Sequence, residues 1–236
     1  MKLLVSVTDE IEALEALKGG CDILDVKNPS EGALGAAHPT LIRKIVEIVE
    51  GKVEVSATIG DLPNLPGTAS LAALGAASLG VNYVKAGLYD VKNFDEALKM
   101  ASWIVKAAKE FYSKLKIIIC GYADHAFLGS LNPLNLPIIA EKAEADGILI
   151  DIKNKSSKNL FYYLSFEELR SLVKEAHEYG LTVALAGSLG LNDVEKVKRL
   201  EADIIGVRRS ICDTTNWLNG RVKSEKVKSL FEVVKV

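Results

Sequence analysis

The chain has 236 residues, 49% of them hydrophobic and 25% charged, with a formal net charge of −2. That is apolar material enough for one sizeable core, without the basic field that a general nucleic-acid or membrane-surface protein draws on. The three cysteines and three histidines are scattered with no zinc-like spacing, so reduced thiols and no metal site are expected.

Lysine far outnumbers arginine and glutamine is absent, a balance that fits a heat-adapted source. The opening Met1-Lys2-Leu3-Leu4-Val5-Ser6-Val7 meets Asp9 and Glu10 too early for a signal peptide, and no apolar run is long enough to span a bilayer. A cytoplasmic protein is expected. From there short β-branched runs alternate with helical ones. Strands read at about 2–6, 22–27, 53–58, 81–86, 116–121, 147–152, 181–186 and 203–207. Helices read at about 8–18, 39–50, 68–79, 93–112, 133–145, 165–179, 191–200 and 221–234. Thr8, Ser165 (three before Glu168) and Asn192 stand where N-caps belong, and Gly19-Gly20, Gly80 and Gly180 close helices.

Eight strand–helix units in this length point to a single (β/α)8 TIM barrel spanning 1–236. A doubly wound sheet is the alternative, but no GxGxxG follows the first strand and no P-loop is present. The long connections 28–38, 59–67, 121–132 and 153–164 all follow strands, which puts them at the catalytic mouth of such a barrel.

Three strands end in charge. The second closes on Asp25-Val26-Lys27-Asn28-Pro29, the fourth on Lys85, and the sixth on Asp151-Ile152-Lys153-Asn154-Lys155. Residues two apart on a strand share a face, so Asp25 and Lys27 point the same way. Alternate strands feed the same interior layer of a barrel, so the charged ends of these even-numbered strands converge. Ammonium groups crowded in a partly dry site depress one another's pKa and leave one amine able to attack a carbonyl. Lys27 is the leading Schiff-base candidate, Lys85 the acid/base, and Asp25 and Asp151 the counter-charges. Extended geometry alone does not choose between Lys153 and Lys155. The plain alternative is a set of lysines that serve only as counter-cations for a bound anion.

The seventh strand runs into Ala186-Gly187-Ser188-Leu189-Gly190, the eighth into Gly206-Val207-Arg208-Arg209-Ser210. Loops in these positions hold phosphate with backbone N–H groups in many barrels, and Arg208 or Arg209 adds charge. Gly187, Ser188, Gly206, Arg208 and Arg209 are therefore the candidate phosphate site. His125, beyond the fifth strand, sits at the mouth but is by default a surface residue.

Leu4-Val5-Ser6, the run Asp25 to Gly32 with Leu34-Gly35, Lys85-Ala86-Gly87, and Asp151 with Lys155 resemble the (5-formylfuran-3-yl)methyl phosphate synthases, also called 4-(hydroxymethyl)-2-furancarboxaldehyde phosphate synthases, of methanofuran biosynthesis. The resemblance covers essentially the whole chain, and the second-strand motif is its most specific part. It implies an aldolase-like lyase that joins two molecules of D-glyceraldehyde 3-phosphate into a furan phosphate, with loss of phosphate and water. It further implies Lys27 as the Schiff-base lysine, Lys85 as proton donor or acceptor, Asp25, Asp151 and Lys155 as supporting groups, and no metal or organic cofactor. Val7 and Ala33 are departures from its pattern. The competing expectations are a phosphosugar isomerase or epimerase, and a non-catalytic barrel that binds sugar phosphates. The expected partner is a small phosphosugar, with no nucleic acid and no membrane. Homo-oligomers are common among small barrels of this kind.

Overall fold

In the computed structural model, which describes residues 1–155, 158–214 and 218–236, the β-branched runs become eight parallel strands. These are β1 (Lys2–Val7), β2 (Ile23–Val26), β3 (Glu54–Pro63), β4 (Tyr83–Asp90), β5 (Lys116–Tyr122), β6 (Gly147–Asp151), β7 (Thr182–Leu185) and β8 (Ile204–Val207). Each pairs with the next, and β8 returns to β1, so the sheet closes into the expected (β/α)8 barrel.

The helices are α1 (Glu10–Gly19), α2 (Pro39–Val49), α3 (Pro66–Ala77), α4 (Phe94–Lys109), α5 (His125–Leu128), α6 (Leu136–Lys142), α7 (Leu160–Tyr163), α8 (Phe166–Glu178), α9 (Val194–Arg199) and α10 (Ser224–Lys235). α5 and α7 are single turns in the loops after β5 and β6. None of the described helices is long and apolar enough to cross a membrane.

Period-two alternation divides the core in two. Inward residues such as Leu4, Ile23, Tyr83, Ile118, Cys120 and Leu149 fill the barrel, while Leu3, Val5, Leu24, Val84, Ile117 and Ile148 pack against the helices. Each fully buried Leu or Ile stabilises the fold by roughly 1.5–3 kcal/mol. Ser165 and Glu168 form the expected capping box on α8. At α1 the cap is Asp9, which accepts from Glu12 N–H; Thr8 instead donates its N–H and hydroxyl to the Glu12 carboxylate. Asn192 lies inside a short 3-10 turn ahead of α9 and does not cap it.

The third and fourth strands run past their expected ends. β3 continues through 59–63, a stretch that reads as loop in the sequence, and β4 to Asp90. The two go on pairing above the rim: Asp61 beside Gly87, Leu62 beside Leu88, Pro63 beside Asp90. A register shift between Thr58 and Asp61 interrupts the alternation and re-aims the residues beyond it. This raised ribbon puts Asp61 over the mouth.

Candidate active site

The parallel ladder sets Ser6, Asp25 and Ser56 side by side on β1, β2 and β3. Both serine hydroxyls donate to the Asp25 carboxylate at 3.0 Å, and Lys85 Nζ, from β4, lies 2.8 Å from it. Asp25 is fully buried and Lys85 is 4% exposed. A buried ion pair persists only when its remaining hydrogen-bonding capacity is met, which the two serines accomplish here. Sequence reading missed them. The available signal was a serine in each of the two strands that flank β2, at the level of the aspartate.

Across the mouth Asp151 ends β6. Its Oδ1 accepts from Lys155 Nζ at 2.6 Å and from the backbone N–H of Ile152 at 2.7 Å. Burial pushes its carboxyl up, but the ammonium groups of Lys155 and Lys27 outweigh that and hold it below the ordinary value. The structure thus decides between the two lysines after β6: Lys155 turns back onto Asp151, whereas Lys153 leaves to pair with Asp61 at 3.1 Å.

Lys27 stands between the two carboxylates and is 7% exposed. Its Nζ donates to the Ala33 carbonyl at 3.2 Å. Lys85, Lys153 and Lys155 each have a carboxylate at ion-pair distance; among the described residues Lys27 has none. Burial depresses its ammonium most. Asp151 and Asp25 pull the other way, Lys155 and Lys85 add to the depression, and the result is about 8 against an ordinary 10.5. A usable neutral fraction therefore exists near physiological pH.

The β7 and β8 loops complete the wall. Gly187, Ser188, Gly206, Arg208 and Arg209 all line the same cavity as Asp25, Lys27, Lys85, Asp151 and Lys155. The Ser188 Oγ is buried with no hydrogen-bond partner among the described residues. Arg208 is largely engaged elsewhere. It is 8% exposed and gives its guanidinium to Glu12 of α1 at 2.8 and 3.3 Å and to the carbonyls of Ser6 and Gly220 at 3.1 Å each. His125 opens the α5 turn, part-buried, outside the residues that line this cavity.

A second buried polar group escaped the sequence reading. The Asp61 carboxylate accepts from the Tyr122 phenol and, at 3.3 Å, from Leu34 N–H, and it forms an ion pair with Lys153 Nζ at 3.1 Å. Tyr122 reaches it across Gly87, where a Cβ would lie 2.2 Å from the phenolic oxygen. Asp124, after β5, accepts from the backbone N–H groups of Lys153 (2.9 Å) and Asn154 (2.9 Å), fixing the way the chain leaves β6.

The 4-HFC-P synthase family model matches residues 3–231. The chain is 47% identical over 236 residues to the (5-formylfuran-3-yl)methyl phosphate synthase of Archaeoglobus fulgidus, covering 99% of both chains. It is 46% identical over 233 residues to the protein of that name from Methanopyrus kandleri, covering 99% of this chain and 98% of that one. The like-named Methanocaldococcus jannaschii protein is 45% identical over 235 residues and the whole of both chains. Among solved structures, 3-hexulose-6-phosphate synthase from Salmonella typhimurium superposes with a TM-score of 0.71 at 15% identity, covering 100% of this chain and 99% of that one. Phosphoribosyl anthranilate isomerase from Thermus thermophilus does so at 0.64 and 18%, covering 100% and 98%. At such identities these two share the fold alone.

Proposed function

This chain belongs to the 4-HFC-P synthase family, and from that premise we propose how its barrel mouth makes (5-formylfuran-3-yl)methyl phosphate for methanofuran. The reaction is a Schiff-base condensation of two molecules of D-glyceraldehyde 3-phosphate with loss of phosphate and water, and Lys27 is the nucleophile. One observation carries this: of the mouth lysines, Lys27 is the one with no carboxylate at ion-pair distance among the described residues, while burial lowers its pKa to about 8. A lysine locked to a carboxylate stays an ammonium; one held by a carbonyl can give up its proton and attack.

The Lys27 nitrogen bonds to the carbonyl carbon of a triose phosphate, and water leaves to give an iminium. The carboxylate of the Asp25–Lys85 pair takes the proton from the adjacent carbon, and the resulting enamine attacks the second carbonyl. The Lys85 ammonium protonates the alkoxide that forms and is itself reprotonated by Asp25. Asp151 and Lys155 stand on the opposite side, 2.6 Å apart, and steady the charge that appears as phosphate and water depart. Gly187, Ser188, Gly206 and Arg209 receive a phosphate group, to which the Ser188 hydroxyl and loop backbone N–H groups donate. Arg208 is better placed to brace the β8 loop against α1 than to hold a free anion.

Sodium borohydride trapping tests the reading. With glyceraldehyde 3-phosphate present, reduction adds a triose-derived mass at Lys27, and Lys27→Arg abolishes it along with phosphate release and the furan ultraviolet band. Turnover without any lysine adduct would favour an isomerase-like use of the lysines as plain cations; binding without turnover would favour a sugar-phosphate-binding barrel.

A further inference from the structure

The group formed by Asp61, Tyr122 and Lys153 takes no part in the Schiff-base steps, yet it is buried at the same mouth. The Asp61 side chain is 4% exposed and Tyr122 is fully buried. Burial, then the facing Asp61 carboxylate, hold the Tyr122 phenol well above its usual range, so it stays a donor. Two hydrogen bonds and an ion pair on one buried carboxylate make a fixed point.

That fixed point meets the strap 28–35, which leaves β2 and crosses the mouth. The base of the strap is tied by Asn28 N–H to Gly35 C=O at 2.8 Å and by the Thr58 hydroxyl to the same carbonyl at 2.7 Å. Just above the base, Leu34 N–H donates to Asp61. The next residue out is Ala33, whose carbonyl accepts from Lys27 Nζ. Gly32 has φ +141, and a Cβ there would lie 2.0 Å from Asp61 Oδ2, so the strap sits hard against the carboxylate.

We propose that Asp61 is a positioning residue for the Lys27 amine: it seats the strap through Leu34, and the strap carries the Ala33 carbonyl to Nζ and keeps water off it. The proposal rests on the Schiff-base reading of Lys27. An iminium at that nitrogen retains one N–H, and the Ala33 carbonyl is the acceptor that holds it in a single orientation. Around it stand Asp25 and Lys85 from β2 and β4 and Asp151 and Lys155 from β6 and its loop, paired with one another and not with the strap.

The test is the rate of borohydride trapping with glyceraldehyde 3-phosphate as a function of pH, for wild type, Asp61→Asn, Tyr122→Phe and Gly32→Ala. Wild type traps at Lys27. Asp61→Asn slows trapping about tenfold and moves its half-maximal pH up by about one unit, because water reaching the amine relieves its burial. Gly32→Ala, pushing from the strap side, gives the same signature, and Tyr122→Phe a smaller shift in the same direction. Damage to folding alone lowers the number of reactive molecules and leaves that midpoint in place. A wild-type adduct with an unmoved midpoint in the variants overturns the positioning role while sparing the Schiff base. Absence of a wild-type adduct overturns both. Should Asp61→Asn fail to fold, Gly32→Ala and Tyr122→Phe decide by the same midpoint.

Discussion

Two strands of this barrel end in nearly the same word. β2 closes on Asp25-Val26-Lys27-Asn28 and β6 on Asp151-Ile152-Lys153-Asn154, yet the two lysines go to different places. On β2 the ladder continues one residue past the strand, since Lys27 N–H donates to Val7 C=O at 3.1 Å. Lys27 therefore keeps the inward face of Asp25. On β6 the side chain of Asp151 takes Ile152 N–H, and Asp124 takes the next two. The chain leaves extended geometry, Lys153 swings to Asp61, and Lys155 fills the place at the aspartate. Identical side-chain chemistry is steered by which acceptor meets the next backbone N–H.

The largest expected effect separates the two lysines by activity. Lys27→Arg lowers phosphate release on the order of 10³-fold or more, as removal of a covalent nucleophile does. Lys153→Arg, which keeps a cation near Asp61, costs at most about tenfold. Equal losses would erase the distinction.

Stability then divides them by sign. A buried ammonium depressed to about 8 from 10.5 weighs against the folded state at every pH below about 8, and that cost fades as pH rises toward 10.5. Replacing Lys27 by Met removes it, so Lys27→Met is more stable to denaturant at pH 7 by up to about 3 kcal/mol. Lys153→Met leaves the Asp61 carboxylate with only the neutral Tyr122 and Leu34 donors and is less stable by about 1–3 kcal/mol. Denaturation midpoints of the two variants, measured together, check both signs.

Asp124→Ala attacks the cause of the divergence. It removes the acceptor of two backbone N–H groups, which costs about 1–3 kcal/mol, and frees the exit of β6 so that Lys155 no longer returns reliably to Asp151. The measurements are denaturation and the Michaelis constant for the triose phosphate; neither should move if the latch is idle. The smallest effect concerns pH. Trapping at Lys27 falls about tenfold per unit below its midpoint near 8. Lys155→Met, by deleting a cation that depresses Lys27, moves that midpoint upward.

The eight strands and the inward set Asp25, Lys27, Lys85 and Asp151 were legible because strand periodicity is local: two residues apart means one face. What was not legible depends on breaks in that rule or on distant partners. Asp61 was hidden because a register shift and Pro63 make the end of β3 look like loop, while its pairing with β4 extends the strand. Lys155 could not be preferred to Lys153 without knowing that Asp124 bends the chain. That Arg208 pairs with Glu12 could not be read either, because the acid lies far earlier in the chain.

That last pairing fixes when the molecule can be finished. Glu12 is 1% exposed and accepts from Thr8, Arg208 and Val222, thereby tying the opening helix to the closing strand and to the segment before the final helix. During synthesis its counter-cation emerges almost two hundred residues later. A nascent chain stalled before the eighth strand must keep that acid in water, and the first strand has no neighbour on its open side. The staves are hooped only when the tail arrives, so a product cut short of residue 208 keeps an open barrel edge and an acid without its guanidinium.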